Sequence, residues 1–538
     1  MRLQQRFRAA FRPFAAAGAA ACLFASGLAV SASGQEQAPQ TAPPQQIAAS
    51  GNVLRIGLDE AVKMAMENNL GIQAERLNPE VANFAVARAL AAYTPVIFGG
   101  ATKSSATAPP TDFLQAGVDV TTDSDFSGNG GVRHQVPFLG GRYQASVGGL
   151  RSTTNAPLDP FVPLLRSNFD FTYTQPLLAG LRIDSIRAGI LQSRNQQDVV
   201  DIQLRERLTQ TSRTVRYAYL ALVQAISGLE VAKQSLDTSR QQLSNNRRRV
   251  EVGTIAQIET VSAEAEVARN EEAVILREGQ IDAARDQLRT LILNPNQPDF
   301  WTTQLEPAEQ PVLAPQPIDI EAATKNALTN RTDIHQLRKQ LESADIDIKF
   351  NSDARLPAVD AQFDYGSTGV GGTRRSFGPE PEEGGPRPIV GSSTRALGDV
   401  LRDVFGQDFR NWAFSVQVSY PIGTSQAEAS LAQARVRRQQ AQTSMRELET
   451  EVARQVRDAA RQVQNSLKRV EATRQARTLA ERQLEAEEKR VAVGLSDTFR
   501  VVQSQRDLAA QRSAELNAVI DYNRALIDFE AVQIVPVR

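Results

Sequence analysis

Four things are scarce in these 538 residues, and each scarcity excludes something. Cysteine occurs once, as Cys22, so no disulfide within the chain holds it together. Histidine occurs twice, as His134 and His335, far apart and without a cysteine partner, which points to surface or structural roles rather than a metal site. Aromatic residues make up 6%. With Ala, Gln, Arg and Glu dominating the helical stretches, that composition suits long exposed helices better than a thick globular core. After the N-terminal segment, no stretch reaches the roughly 18 consecutive apolar residues of a membrane helix, so any membrane crossing has to use strands. The formal charge of −1 makes no electrostatic case for a nucleic-acid partner. There is no glycine-rich phosphate loop and no Ser-His-Asp signature, hence no nucleotide, no other cofactor and no enzymatic centre to assign.

Arg2, Arg6, Arg8 and Arg12 precede an apolar run from about Phe14 to Val30 that ends in Val30-Ser31-Ala32. That order predicts a secretory signal peptide over 1–32. Its removal leaves 56 basic residues against 61 acidic ones. Cys22 lies inside the apolar run, preceded by Ala19-Ala20-Ala21, whereas a lipidated cysteine closes such a run. Residues 33–53, rich in Gln, Pro and Ala, read as a flexible lead.

What is present is a plan stated twice. Arg249-Val250-Glu251-Val252-Gly253-Thr254 ends one long helical run, and 241 residues later Arg490-Val491-Ala492-Val493-Gly494-Leu495 ends another. Gly253 and Gly494 stand where a helix stops with a residue at positive φ. Ala61, Ala65 and Ile72 recur 262 residues on as Ala323, Ala327 and Ile334, and Pro95 as Pro357. This predicts an internal duplication, 54–294 and 318–538, joined by the proline-rich segment 295–317. Leu222, Leu229, Leu236, Leu243 and Val250 recur every seven residues, with the short Ala225, Ala232, Ser239 and Asn246 three further on. Val267, Val274, Ile281 and Leu288 do the same in the returning run; Val463, Val470, Leu484 and Val491 do so in the second copy, interrupted by Arg477. Such a repeat imposes a left-handed supercoil.

Between each first helix and each long run the period changes to two. Phe169, Phe171 and Tyr173 alternate with polar residues, as do Val359 to Tyr365 and Phe414 to Tyr420. Alternation marks a half-buried strand and equally a lipid-facing barrel strand. A conservative count gives about four spanning strands, two per copy, with further candidates near 114–121, 130–137 and 143–150. Residues 366–409 read as a long exposed loop with a short amphipathic piece near Arg395 to Phe405. Trp301 and Trp412 suit either a membrane-interface belt or packing at the barrel rim. A run of about 70 residues spans on the order of 100 Å, matched by two shorter helices stacked end to end. Strands in lipid must close into a barrel, and this few cannot close one alone, so several copies are required.

Over 54–536 the sequence resembles the TolC-type outer-membrane channel family. The residues that carry this are Leu58-Asp59-Glu60-Ala61 with Ala65 and Asn69, Tyr173-Thr174-Gln175-Pro176-Leu177-Leu178, Ser419-Tyr420-Pro421-Ile422-Gly423 and the two glycine tips. The resemblance implies a mainly α fold with β. A long α-helical barrel of coiled-coil hairpins runs on into a transmembrane β-barrel, from two internal repeats per chain, closed by trimerisation with twelve strands and twelve helices. It also implies an equatorial belt near 295–318 and the C-terminus. The protein would sit in outer-membrane lipid and reach into the periplasm. There Val252, Gly253, Thr254, Val493, Gly494 and Leu495 would dock a periplasmic adaptor that links the homotrimer to an inner-membrane transporter, making it a passive duct for efflux or secretion. Acidic residues beyond the tips commonly narrow the family's entrance. Here Glu259 fits, but Arg500 and Gln503 take the equivalent places after Gly494. The expectation is either solvated charges or a gate in which Glu259 and Arg500 of neighbouring hairpins pair. The alternative to a duct is a periplasmic or surface coiled-coil scaffold with no channel activity.

Overall fold

A computed structural model describes residues 53–533, apart from 112–114, 116–117, 310–312, 314, 316, 380–386 and 424. The expected signal peptide with Cys22, and the lead as far as residue 52, lie outside the described residues.

Two helices of 67 residues dominate, α4 (Ser185–Glu251) and α9 (Gln426–Ala492). Each spans about 100 Å. Each opens on a side-chain cap at the matching position: Asp184 accepts from the Arg187 amide and Ser425 from the Glu428 amide, which satisfies amides that have no partner inside the helix. Each returns as a shorter helix, α5 (Ile258–Ile292, 35 residues) and α10 (Thr498–Gln533, 36 residues). The seven-residue repeat explains the packing. Leu222, Leu236, Ala225, Ser239 and Asn246 on α4, and Ile281 and Leu288 on α5, are all buried. Burying a Leu or Ile side chain contributes about 1.5–3 kcal/mol. In α9, Val463 and Val470 are buried, and the interrupting Arg477 is half-buried and paired with Glu515 at 2.9 Å.

The segment before Pro95 is not the single helix its periodicity predicts. It breaks into α1 (Leu58–Asn68), α2 (Leu70–Glu75) and α3 (Asn78–Leu90), and its counterpart into α6 (Ile320–Asn330) and α7 (Thr332–Ala354). Asn69 and Arg331, 262 residues apart, both leave the helical region with ψ of 119° and 135°. The first break caps α5: Asn68 and Asn69 donate to the Ile292 and Leu291 carbonyls. The short helices thus stack end to end beside α4. At that level β1 (Val53–Ile56) pairs in parallel with β6 (Gln304–Pro307). Tyr219 of α4 ties the pair down, its hydroxyl 3.3 Å from the Ile56 and Glu309 carbonyls.

The strand count differs from the expectation. A seven-stranded antiparallel sheet comprises β2 (Val96–Ala108), β3 (Thr121–Gln135), β4 (Arg142–Thr154), β5 (Phe161–Pro176), β7 (Ala358–Phe377), β8 (Ile389–Arg395) and β9 (Arg410–Ser419). Four of these belong to the first copy, not two. β3, with the sequence Thr-Thr-Asp-Ser-Asp-Phe-Ser-Gly-Asn-Gly-Gly, has almost no apolar alternation. Its partners' backbones, not its own side chains, hold it extended. Of the three further candidates, 130–137 falls largely in β3 and 143–150 in β4, while the described part of 114–121 is loop up to Thr121. The 366–409 loop is also corrected: β7 runs on to Phe377, and β8 and helix α8 (Leu397–Gly406) follow.

Register assigns the two faces. The row Tyr143–Tyr173–Phe363–Phe414 and the next, Ala145–Phe171–Tyr365–Trp412, share one face. Arg142–Thr174–Gln362–Ser415 and Gln144–Thr172–Asp364 share the other. One face is apolar and the other polar, as a lipid-facing wall with a wet lumen requires. Trp412 is 70% exposed on the apolar face, whereas Trp301 lies beside β6, edge-on to Phe300. His134 hydrogen-bonds the Tyr93 carbonyl and packs edge-on against Tyr143, and His335 sits half-buried in α7. No cluster of metal-ligating side chains occurs among the described residues.

Candidate functional site: the paired helix tips and the entrance

Both long helices end in the same hydrogen-bonded turn. The Thr254 amide donates to the Arg249 carbonyl at 2.8 Å and the Gly253 amide to Val250 at 2.9 Å. Leu495 donates to Arg490 at 2.8 Å and Gly494 to Val491 at 3.2 Å. This six-to-one and five-to-two pattern requires positive φ at the glycine, which is +72° at Gly253 and +77° at Gly494. A Cβ at either glycine would meet nothing within 4 Å, so the backbone angle alone demands glycine there. The turns leave apolar side chains uncovered: Val252, Val493 and Leu495 are 72%, 69% and 79% exposed.

A buried polar residue seven positions before each glycine holds the turn. Asn246 donates to the Glu259 carbonyl and accepts from Gln242. At the equivalent place Glu487 accepts from Arg490 at 2.7 Å and from Ser496 at 2.8 Å. Each descending helix is thereby pinned to its own return. The two hairpins are also tied to each other. Thr498 donates to the Glu259 carboxylate, and Arg506 donates to Glu266 through Nε at 3.0 Å and through Nη2. Arg269 also reaches Glu266, at 2.8 Å. Hydrogen bonding from Arg506 holds the Glu266 carboxyl below the usual carboxylate range, against the opposing effect of burial. A cavity of about 210 Å³ lies beside this pair, where all four helices meet.

Within one chain Glu259 and Arg500 are not paired. Glu259 is occupied by Thr498, and the exposed Arg500 guanidinium has no ion-pair partner among the described residues, although its amide is capped by Asp497 at 2.9 Å. Gln503 donates to Asp507 at 3.0 Å, which puts an acid one turn beyond the expected place. Sequence reasoning missed Glu266, Arg506, Glu487 and Asp507. The near-equivalence of 266 and 506, 240 residues apart, was the available signal.

Comparison with known proteins gives this geometry its meaning. The family model described as "Outer membrane efflux protein" matches residues 169–292 and 323–532, well over half of the chain. The chain belongs to the outer membrane efflux protein family. Members of that family are non-enzymatic conduits of tripartite efflux pumps, so the scaffold reading falls away. Solved outer-membrane channels share the fold at low identity. A Pseudomonas aeruginosa membrane protein is 17% identical with a TM-score of 0.63, covering 91% of this chain and 96% of that one. The Campylobacter jejuni CmeC outer membrane channel is 14% identical with a TM-score of 0.61, covering 88% and 85%. The open-state Neisseria gonorrhoeae MtrE outer membrane channel is 16% identical with a TM-score of 0.58, covering 92% and 97%. No curated protein sequence matches the chain. No helix among the described residues of this outer membrane efflux protein is long and apolar enough to cross a membrane.

Proposed function

We propose that three copies of this chain, each built of two repeated halves, close a β-barrel in the outer membrane above a helical barrel in the periplasm. The assembled duct passes cargo delivered by an inner-membrane transporter and its periplasmic adaptor. The observation that carries this is the sheet's two open edges. Among the described residues, β2 has no partner beyond β3, and β8 and β9 have none beyond β7. In lipid such edges are prohibitive, so neighbouring copies must satisfy them. Six strands have ten residues or more, so three copies would bring eighteen rather than the twelve the resemblance implies. An apolar stripe supports the same seam lower down: Leu77, just before α3, and Val81 and Phe84 on α3 are 57%, 64% and 73% exposed.

Val252, Gly253, Thr254, Val493, Gly494 and Leu495 form the adaptor-docking tips in this reading, because exposed apolar caps on rigid turns call for a cover. A photo-reactive residue at Thr254 tests it. Cross-linking in cells to an adaptor with a helical hairpin tip is the expected result, and cross-links to no periplasmic protein would refute docking there. Glu259, Arg500 and Gln503 line the entrance. Arg500, which has no ion-pair partner among the described residues, pairs with an acid of a neighbouring hairpin in the closed state. Arg500→Ala should raise conductance in planar bilayers, and an unchanged conductance removes that gate.

A further inference from the structure

We propose that the apolar face of the sheet carries, at its extracellular end, a binding site for the phosphorylated head group of an outer-leaflet glycolipid, formed by Lys103 and Arg151 and walled by α8. The site rests on the reading of the sheet as a membrane-spanning wall.

Chain direction orients the sheet. β2 leaves the helical body at Val96, and β5 rejoins it after Pro176, so the far ends of the strands are extracellular. Register places Lys103 opposite Phe126, Phe126 opposite Arg151, Arg151 opposite Leu165 and Leu165 opposite Gly371. All five share the face of Tyr143, Phe171 and Tyr365, because alternation along β2, β3 and β4 is unbroken between those rows. From Tyr143 to Arg151 the strand climbs about 26 Å, or about 20 Å of height at the usual barrel tilt. The aromatic row marks the periplasmic boundary of the apolar band, and the basic row lies at the level of the outer head groups.

Neither Lys103 nor Arg151 makes an ion pair or side-chain hydrogen bond among the described residues, and both are exposed. The acids at this height, Asp123 and Asp125 of β3, have the opposite parity and face the lumen. At this height Lys103 and Arg151 face outward, whereas Asp123, Asp125 and Arg166 face the lumen. Lys103 and Arg151 stand two strands apart, about 10 Å, close enough for flexible side chains to converge on one phosphate or to hold two.

The third component is α8, on the same face. A Cβ at Gly369 or Gly371 would run into Val400, so these glycines seat the helix directly on β7. Val400 and Val404 are buried beneath it, and Asp403 is neutralised by Arg395 at 2.8 Å. Leu397 and Phe405 of α8 are 52% and 66% exposed and add apolar surface on this side of β7. Two outward cations beside the apolar side chains Phe126 and Leu165 complement a phosphate carried on acyl chains.

The test uses the full chain extracted from outer membranes in mild detergent. Native mass spectrometry follows retention of added diphosphorylated lipid A, dephosphorylated lipid A and phosphatidylethanolamine. Wild type should retain the diphosphorylated lipid best, and the Lys103→Ala, Arg151→Ala double variant should lose about tenfold or more of that preference. Arg166→Ala, on the lumen face of β5, should change nothing. Equal retention of the three lipids by wild type, or undiminished preference in the double variant, overturns the proposal. Membrane flotation separates the two claims: a chain that fails to float with outer membranes refutes the spanning sheet itself.

Discussion

The contact between Glu266 and Arg506 makes the sharpest prediction, because it joins two hairpins that elsewhere touch mainly through α4 and α10. Glu266 is 8% exposed and is the acceptor for both Arg506 and Arg269. Glu266→Gln keeps the volume and removes the charge. Hydrogen bonds to charged partners contribute about 1.5–3 kcal/mol net. The Arg506 and Arg269 side chains remain 40% and 60% exposed, so water screens them, and the expected loss is the low end, about 1–2 kcal/mol per chain. Spent on the closed arrangement of the tips, that shifts the closed-to-open ratio by about 5- to 30-fold per hairpin pair. Single-channel recording in planar bilayers reads it directly as more frequent large openings. An open probability equal to wild type would refute the assignment of this pair to the closed state. The pH dependence has a definite sign. Because the folded carboxyl titrates below its unfolded value, the stabilisation is complete above the unfolded value, near about pH 4.3, and is lost as pH falls through the folded one. Openings should therefore be flat across neutral pH and rise only in stronger acid. A rise between pH 6 and 7 would contradict the mechanism.

Three further outcomes follow from particular contacts. Phe84→Asp puts a charge into the exposed apolar stripe of α3 and should weaken the seam between copies by about 1.5–3 kcal/mol each, read as loss of SDS-resistant oligomer on gels. Gly253→Ala forces an L residue to φ near +72° at a local cost of about 1–2 kcal/mol. It should impair adaptor-dependent efflux while leaving insertion and conductance intact. Gly369→Val drives a side chain into Val400 and should release α8 from the sheet at about 1–3 kcal/mol, seen as faster proteolysis on whole cells within Leu397–Gly406.

The long helices were legible because their stabilising pattern is periodic in the residues themselves. A seven-residue apolar repeat and glycine at the turns are both local signals. The stops at Asn69 and Arg331 were not legible, because neither is a helix breaker. The first break exists because the Asn68 and Asn69 amides reach carbonyls at the end of α5, more than 220 residues away. β3 was half hidden for a similar reason: Thr121–Gln135 owes its extended form to ladders on both sides, and its glycine-rich stretch shows no period of two. At the tips, residue types revealed the turns. The ties between hairpins depend on which helix faces meet, and one sequence does not print that. Asp507 lies one turn beyond the position where the spacing from Gly494 puts an acid.

The number of chains that make one pore wall decides whether a single chain or an assembly forms the duct. Native mass spectrometry of the detergent-solubilised protein measures that number. Three chains per particle is the predicted result, and a stable single chain would contradict it.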